Sequence, residues 1–99
     1  MTYEELCEAI LKLTQIEREY WEIISKKKFN EGVFRAHIQA VTNSDDECTK
    51  ETLERLLSLA LIQVGVLKHD DFGFTEFQID VRGNVYRIRP DLYKKMLYG

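Results

Sequence analysis

The sequence predicts an α+β domain: three helices followed by a two-stranded antiparallel hairpin. Two observations predict it. Apolar residues recur every three or four positions as far as Val64, and after Gly65 the spacing becomes strict alternation. The pair Gly83-Asn84, lying between two alternating runs, then supplies a tight turn. At 99 residues the chain is one domain, and 44% hydrophobic with 31% charged residues is the balance of a globular chain rather than a disordered one.

The first helix is predicted over about 2–28. Thr2 and Glu5 match a capping box, and Leu6, Ala9, Ile10, Leu13, Ile16, Tyr20, Ile23 and Ile24 form its apolar stripe. Such a rod would be roughly 40 Å long at 1.5 Å per residue. Lys26, Lys27 and Lys28 would sit at the negative end of its dipole. After a break at Phe29-Asn30-Glu31-Gly32, Asn30 would cap a second helix over about 30–42, with Val33, Phe34, Ile38 and Val41 inward. The polar run Thr42 to Glu47 reads as a turn. A third helix over about 49–64, capped by Ser44 with Glu47 or by Thr49, carries Leu53, Leu56, Leu57, Ala60 and Val64, with Gly65 as its left-handed end.

In the hairpin, over about 76–89, a type II′ turn at Gly83-Asn84 pairs Val81 with Tyr86, Asp80 with Arg87 and Ile79 with Ile88. That register puts Phe77, Ile79, Val81, Tyr86 and Ile88 on one face and the charges on the other. Pro90 ends the strand, and a short helical turn over 91–97 follows.

Helix, helix, turn, helix and hairpin is the order of a winged helix-turn-helix domain. The stretch from Thr49 to Leu97 resembles the recognition helix, glycine break and wing of many prokaryotic regulators. The resemblance implies a third helix lying in the major groove of DNA. The sequence departs from that family in two long connections, Thr42 to Thr49 and Lys68 to Thr75.

The charges argue against groove reading. Projected as a helix, residues 49–64 turn Glu51, Glu54, Arg55, Ser58, Leu59 and Ile62 outward, with Lys50 beside them, as the face toward a partner or DNA. Residues 40–54 hold five acids and one lysine, and the chain carries a formal charge of −3. Phosphate contact needs several cations to release counterions. The wing offers Arg82, Arg87 and Arg89 on its outward face, a stripe suited to phosphates or carboxylates, or else to protecting an open sheet edge. Leu59 and Ile62 make the third helix apolar nearly all round, so either the first helix or a partner covers it. Tyr20 and Trp21, adjacent on the first helix, cannot both point inward and are candidate homodimer contacts.

Catalytic signatures are not found: no P-loop, GxGxxG, HExxH, CxxC or GxSxG. His69-Asp70-Asp71 reads as a solvated loop rather than a metal site, His37 as a half-buried core histidine, and Cys7 and Cys48 as free thiols of a reducing compartment. No cofactor, metal, small-molecule substrate or membrane span is expected, and the N-terminus lacks the basic and apolar pattern of a secretory leader. The expectation is therefore a non-enzymatic cytoplasmic protein working by macromolecular contact, foremost a protein-binding regulator or inhibitor. In size and charge it resembles phage and mobile-element anti-defence proteins, anti-CRISPR proteins among them. A dimeric DNA-binding transcriptional regulator and a structural subunit of a larger assembly are the alternatives.

Overall fold

Thr2 caps the first helix as its sequence anticipates, with Oγ1 accepting from the Glu5 amide at 3.1 Å. The helix then stops early. In the computed structural model, which describes residues 1–27 and 31–98, α1 (Tyr3–Leu11) and α2 (Gln15–Lys26) are separate. The break is a second capping box: Thr14 Oγ1 accepts from the Glu17 amide at 3.3 Å, and the Glu17 carboxylate accepts from the Thr14 amide at 2.9 Å. Arg18 ties the two helices together by donating to the Leu11 carbonyl at 3.1 Å. The expected 40 Å rod therefore does not exist. Lys28 and the proposed cap Asn30 lie outside the described residues.

Val33–Phe34 form a short strand, β1, and the second helix starts only at Arg35 (α3, Arg35–Thr42). Asn43 ends it at φ 53°, a left-handed position that Asn tolerates well. Three residues later α4 (Asp46–Ser58) begins, capped by Asp45, whose Oδ1 accepts from the Cys48 amide at 2.7 Å. The connection between α3 and α4 is thus Asn43-Ser44-Asp45, shorter than the sequence suggested.

Helix α4 also ends sooner than expected, and not at Gly65. Leu61 N–H donates to the Leu56 carbonyl at 3.2 Å and Ala60 N–H to the Leu57 carbonyl at 3.0 Å, the two bonds of a Schellman motif. Ala60 takes the left-handed position at φ 59°, where glycine is usual. Leu56 and Leu61, the positions whose apolar contact commonly accompanies this motif, are both fully buried.

The chain then enters the sheet: β2 (Ile62–His69), β3 (Thr75–Ile79) and β4 (Val85–Ile88), followed by α5 (Pro90–Tyr98). The strand order is β1-β4-β2-β3, all antiparallel. The predicted class, α+β, stands, but the predicted layout does not. Among the described residues there are five helices and four strands, not three helices and a hairpin, and nothing in the layout is specific to a winged helix. The predicted hairpin register is also wrong. Ile79 faces Gly65, while Tyr86 faces Val64 and Ile88 faces Ile62, so β3 and β4 flank β2 on opposite sides. The single apolar face expected of Phe77, Ile79, Val81, Tyr86 and Ile88 does not form either. Ile79 and Val81 are exposed, β3 ends at Ile79, and Phe77 lies on the opposite face from Tyr86 and Ile88; each run finds its partner in the missed strand β2.

One face of the sheet carries Ile62, Tyr86 and Ile88 into a core shared with Leu6, Ile24, Ile38, Leu53 and Leu92. Tyr20 and Trp21 are both in that core, at 0% and 3% exposure. They are unavailable as dimer contacts. Both fit inward because α2, freed from α1, is covered on two sides, by α3 and α4 and by the sheet. On the reverse face, Phe77 and Val85 are buried with the Arg87 guanidinium 4.0 Å above the Phe77 ring. Gly32, at φ +65°, covers this pair so closely that a Cβ there would meet Val85 Cγ1 at 2.5 Å. Helix α1 packs against α5.

Candidate functional site

Only the inner half of β2, Ile62 to Gly65, pairs with β4; Gly65 pairs on both sides, and Val66 to His69 pair with β3 alone. Past β4 the hairpin therefore continues as a two-stranded arm. Its tip, residues 70–74, is pinned by one carboxylate: Asp70 Oδ1 accepts from the amides of Phe72 at 2.9 Å and Phe74 at 2.8 Å. The Asp70 amide donates to the Phe74 carbonyl at 3.0 Å, and Gly73 turns at φ +84°. His69 Nδ1 lies 2.9 Å from Thr75 Oγ1, closing the base of the tip. This ordered loop presents Phe72 and Phe74 to solvent at 87% and 73% exposure. Further along the outer strand, Ile79 is 63% exposed, and Val81, just beyond it, 88%. Asp70 and His69, which the sequence leaves as a solvated loop, hold the tip in shape.

A second feature lies between α4 and the sheet. A cleft of about 340 Å³ is lined by Arg35, Lys50, Glu54, Arg82 and Tyr86 over an aliphatic wall of Leu53, Leu57, Val64 and Val81. Its three cations come from three elements. Arg35 opens α3 and is anchored by its amide donating to the Asn84 carbonyl at 2.8 Å and its guanidinium to the Asp46 carbonyl at 3.4 Å. Lys50 lies on α4. Arg82 lies in the turn between β3 and β4, where Asp80 Oδ1 accepts from the Arg82 amide at 2.9 Å and the Asp80 carbonyl from the Gly83 amide at 2.9 Å. Burial raises the Tyr86 phenol above its ordinary range, against the pull of the Arg35 guanidinium, which hydrogen-bonds to it.

The opposite flank of α4 has the other sign. Glu17, Asp45, Glu47 and Glu51 line a separate cleft of about 430 Å³ with Ile16, Cys48 and Thr52. The helix thus divides a basic side from an acidic one, which the net charge of the segment conceals.

The predicted arginine stripe does not form. Arg87 is drawn onto Phe77 and donates from Nε to Gln63 Oε1 at 3.1 Å. Arg89 Nε pairs with Asp91 Oδ1 at 3.2 Å. Arg82 alone reaches the cleft, because residues 80–83 form a turn rather than strand. Of the predicted third-helix face, Lys50, Glu51, Arg55 and Ser58 are exposed, and Arg55 Nε is 3.9 Å from the Glu17 carboxylate. Ile62 is buried in β2 and Leu59 is half-buried at the helix end, so neither belongs to that face. Sequence reading missed Arg35 and Tyr86 in the cleft and Phe72 and Phe74 at the tip. The two phenylalanines had a local signal, Asp70-Asp71-Phe72-Gly73-Phe74, a turn sequence with aromatics where polar residues are usual.

His37 is exposed on α3 rather than half-buried. Among the described residues no group of three His, Cys, Asp or Glu side chains is placed to hold a metal ion, and no helix is long and apolar enough to cross a membrane. No family model, no curated protein and no solved structure matches the chain.

Proposed function

We propose that the protein is a non-catalytic regulator or inhibitor that acts by binding another protein. The observation that carries this reading is the arm tip. Two phenylalanines held outward on a loop pinned by four main-chain hydrogen bonds to Asp70 are a costly surface to leave in water, and aromatic anchors on a rigid support are what protein interfaces use. β3 forms the outer edge of the sheet, where exposed Ile79 and, just beyond the strand, Val81 accompany the exposed charge of Glu76. The inhibitor form of the reading follows the resemblance in size and charge to anti-defence proteins. The test is affinity capture with the tagged protein from nuclease-treated lysate of the cells that encode it. A stoichiometric protein retained at about 150 mM salt, and lost with the double variant Phe72→Ser/Phe74→Ser, is the expected result. Retention unchanged in that variant would remove the tip from the interface.

The short connection Asn43-Ser44-Asp45 favours a second reading. Two helices joined by a three-residue turn are the helix-turn-helix unit, and contact with duplex DNA through α4 would fit it. Glu47, Glu51 and Glu54, exposed on α4, work against it. Specific duplex binding that persists at about 150 mM salt would reverse the order of the two readings.

A further inference from the structure

We propose that the cleft between α4 and the β3–β4 turn is a binding site for an acidic segment of a protein partner, a carboxylate flanked by an aliphatic side chain. The inference rests on the protein-binding reading and names the chemistry of a second contact, away from the arm tip. Three observations carry it.

First, the charge of the cleft is unbalanced. Arg35, Lys50 and Arg82 face a single carboxylate, Glu54, and none of the three cations takes part in an ion pair among the described residues. Every other arginine on the sheet or at its ends is matched: Arg87 with Gln63 and Phe77, Arg89 with Asp91. Three cations against one carboxylate leave an excess of positive charge that a further anion would relieve.

Second, Arg35 and the main chain of Arg82 are held in place before any ligand arrives. Arg35 is fixed through its own amide and through the Asp46 carbonyl. The Arg82 backbone is fixed by Asp80, whose side chain and carbonyl hold residues 80–83 in one turn. Asp80 is therefore a positioning residue, not the cross-strand partner of Arg87. The Arg35 guanidinium, so held, takes a carboxylate in a fork of two hydrogen bonds at reduced cost in ordering.

Third, aliphatic side chains line the cleft beside the cations. Leu53, Leu57, Val64 and Val81 line the same cleft, and Val81 is almost wholly exposed. A free inorganic anion gains nothing from those side chains, whereas a Glu or Asp beside a Leu, Ile or Val in a peptide uses both them and the cations. The acids that surround the cleft choose between peptide and nucleic acid. Glu54 lies within it, and Glu47 and Glu51 lie on the other flank of the same helix. A single ligand carboxylate brings one negative charge into a cleft that holds three cations and Glu54, while a run of phosphates along a backbone would bring several past Glu54, Glu47 and Glu51.

The experiment is a titration of the full chain, followed by amide NMR at about 150 mM salt, with three probes. The first is a ten-residue peptide of alternating Glu and Leu, the second its Gln and Leu counterpart, and the third a short DNA duplex. Expected are saturable shifts at Arg35, Lys50, Arg82 and Tyr86 with the first peptide, binding at least about tenfold weaker with the second, and none with DNA. The variant Lys50→Gln/Arg82→Gln, both exposed positions, should weaken the acidic peptide by about tenfold or more with its thermal midpoint unchanged. Equal binding of the Gln peptide, shifts confined to other surfaces, no binding of either peptide, or preference for the duplex would each overturn the assignment. The outcome is independent of the capture experiment. A partner still lost with Phe72→Ser/Phe74→Ser, but indifferent to Lys50→Gln/Arg82→Gln, would leave the protein-binding reading standing and remove the cleft from it.

Discussion

The Tyr20 hydroxyl donates to Thr49 Oγ1 at 3.3 Å, and both residues are completely buried. The pair joins α2 to α4 through the centre of the core, and it is asymmetric, because Thr49 also donates to the Asp45 carbonyl at 2.8 Å. Removing the phenol leaves Thr49 with a partner; removing the threonine hydroxyl leaves a buried phenol without its acceptor. Tyr20→Phe should therefore cost about 0.5–1.5 kcal/mol, and Thr49→Val more, about 1–3 kcal/mol. Urea denaturation of both variants checks the order. Equal costs would mean that the bond contributes no more to one side than to the other.

Ala60 occupies the left-handed position that closes α4. A Cβ there costs roughly 1–2 kcal/mol relative to the right-handed region, whereas glycine is free of that cost but loses more entropy on folding. Ala60→Gly is expected to stabilise the protein by about 0.5–1 kcal/mol, raising the thermal midpoint by a few degrees. A loss of stability in calorimetry would show that the Ala60 methyl packs more than it strains.

Gly83 lies against the main chain of Gly65, close enough that a Cβ on Gly83 would run into the Gly65 carbonyl. Main chain cannot swing aside as a side chain can. Gly83→Ala should destabilise by about 1–3 kcal/mol, the range for overpacking, and should disturb the Arg82 side of the cleft with it. Thermal unfolding measures the first effect and the Arg82 amide resonance the second.

Tyr86 makes stability depend on alkali. Its folded-state pKa is raised above the ordinary 10.0 by burial, with Glu54 adding to the rise. Below 10.0 both folded and unfolded forms hold the proton and the contribution is whole; above it the unfolded chain ionises first, so stability falls as pH rises toward the folded-state value. The thermal midpoint of the wild type should drop above that pH more steeply than that of Tyr86→Phe. Parallel curves would mean that other tyrosines dominate the alkaline limb.

How far the sequence reveals this fold can be seen residue by residue. Thr2, Pro90 and the strands around residues 77–79 and 86–88 were legible because each signal is local, although Ile79 and Val81, read as inward, are exposed. Thr14 and Glu17 formed an equally good cap signal, but the apolar spacing of Leu13, Ile16 and Tyr20 runs through it unbroken and reads as one helix. Ile62, Val64 and Val66 alternate as a strand should, yet the run of leucines before them carries the helical pattern past Ala60, whose left-handed turn no propensity announces. The cleft was half legible. Arg82 stood out as a wing arginine, whereas Arg35 and Tyr86 meet only because β1 pairs with β4 across fifty residues of chain. Such a pairing leaves no trace in spacing.

That same pairing sets an order of events. β4 is the last strand along the chain but sits second in the sheet, between β1 and β2. Until residues 85–88 arrive, Val33 and Phe34 have no strand to join, and Ile62 to Gly65 present an open inner edge. Helices α2, α3 and α4 can associate early through local contacts, while the sheet must wait for its centre, so folding should run at the pace of a mixed α/β domain rather than a helical bundle. During that wait the bare edge of β2 can accept a strand from a neighbouring chain, and the yield of refolding should fall as protein concentration rises.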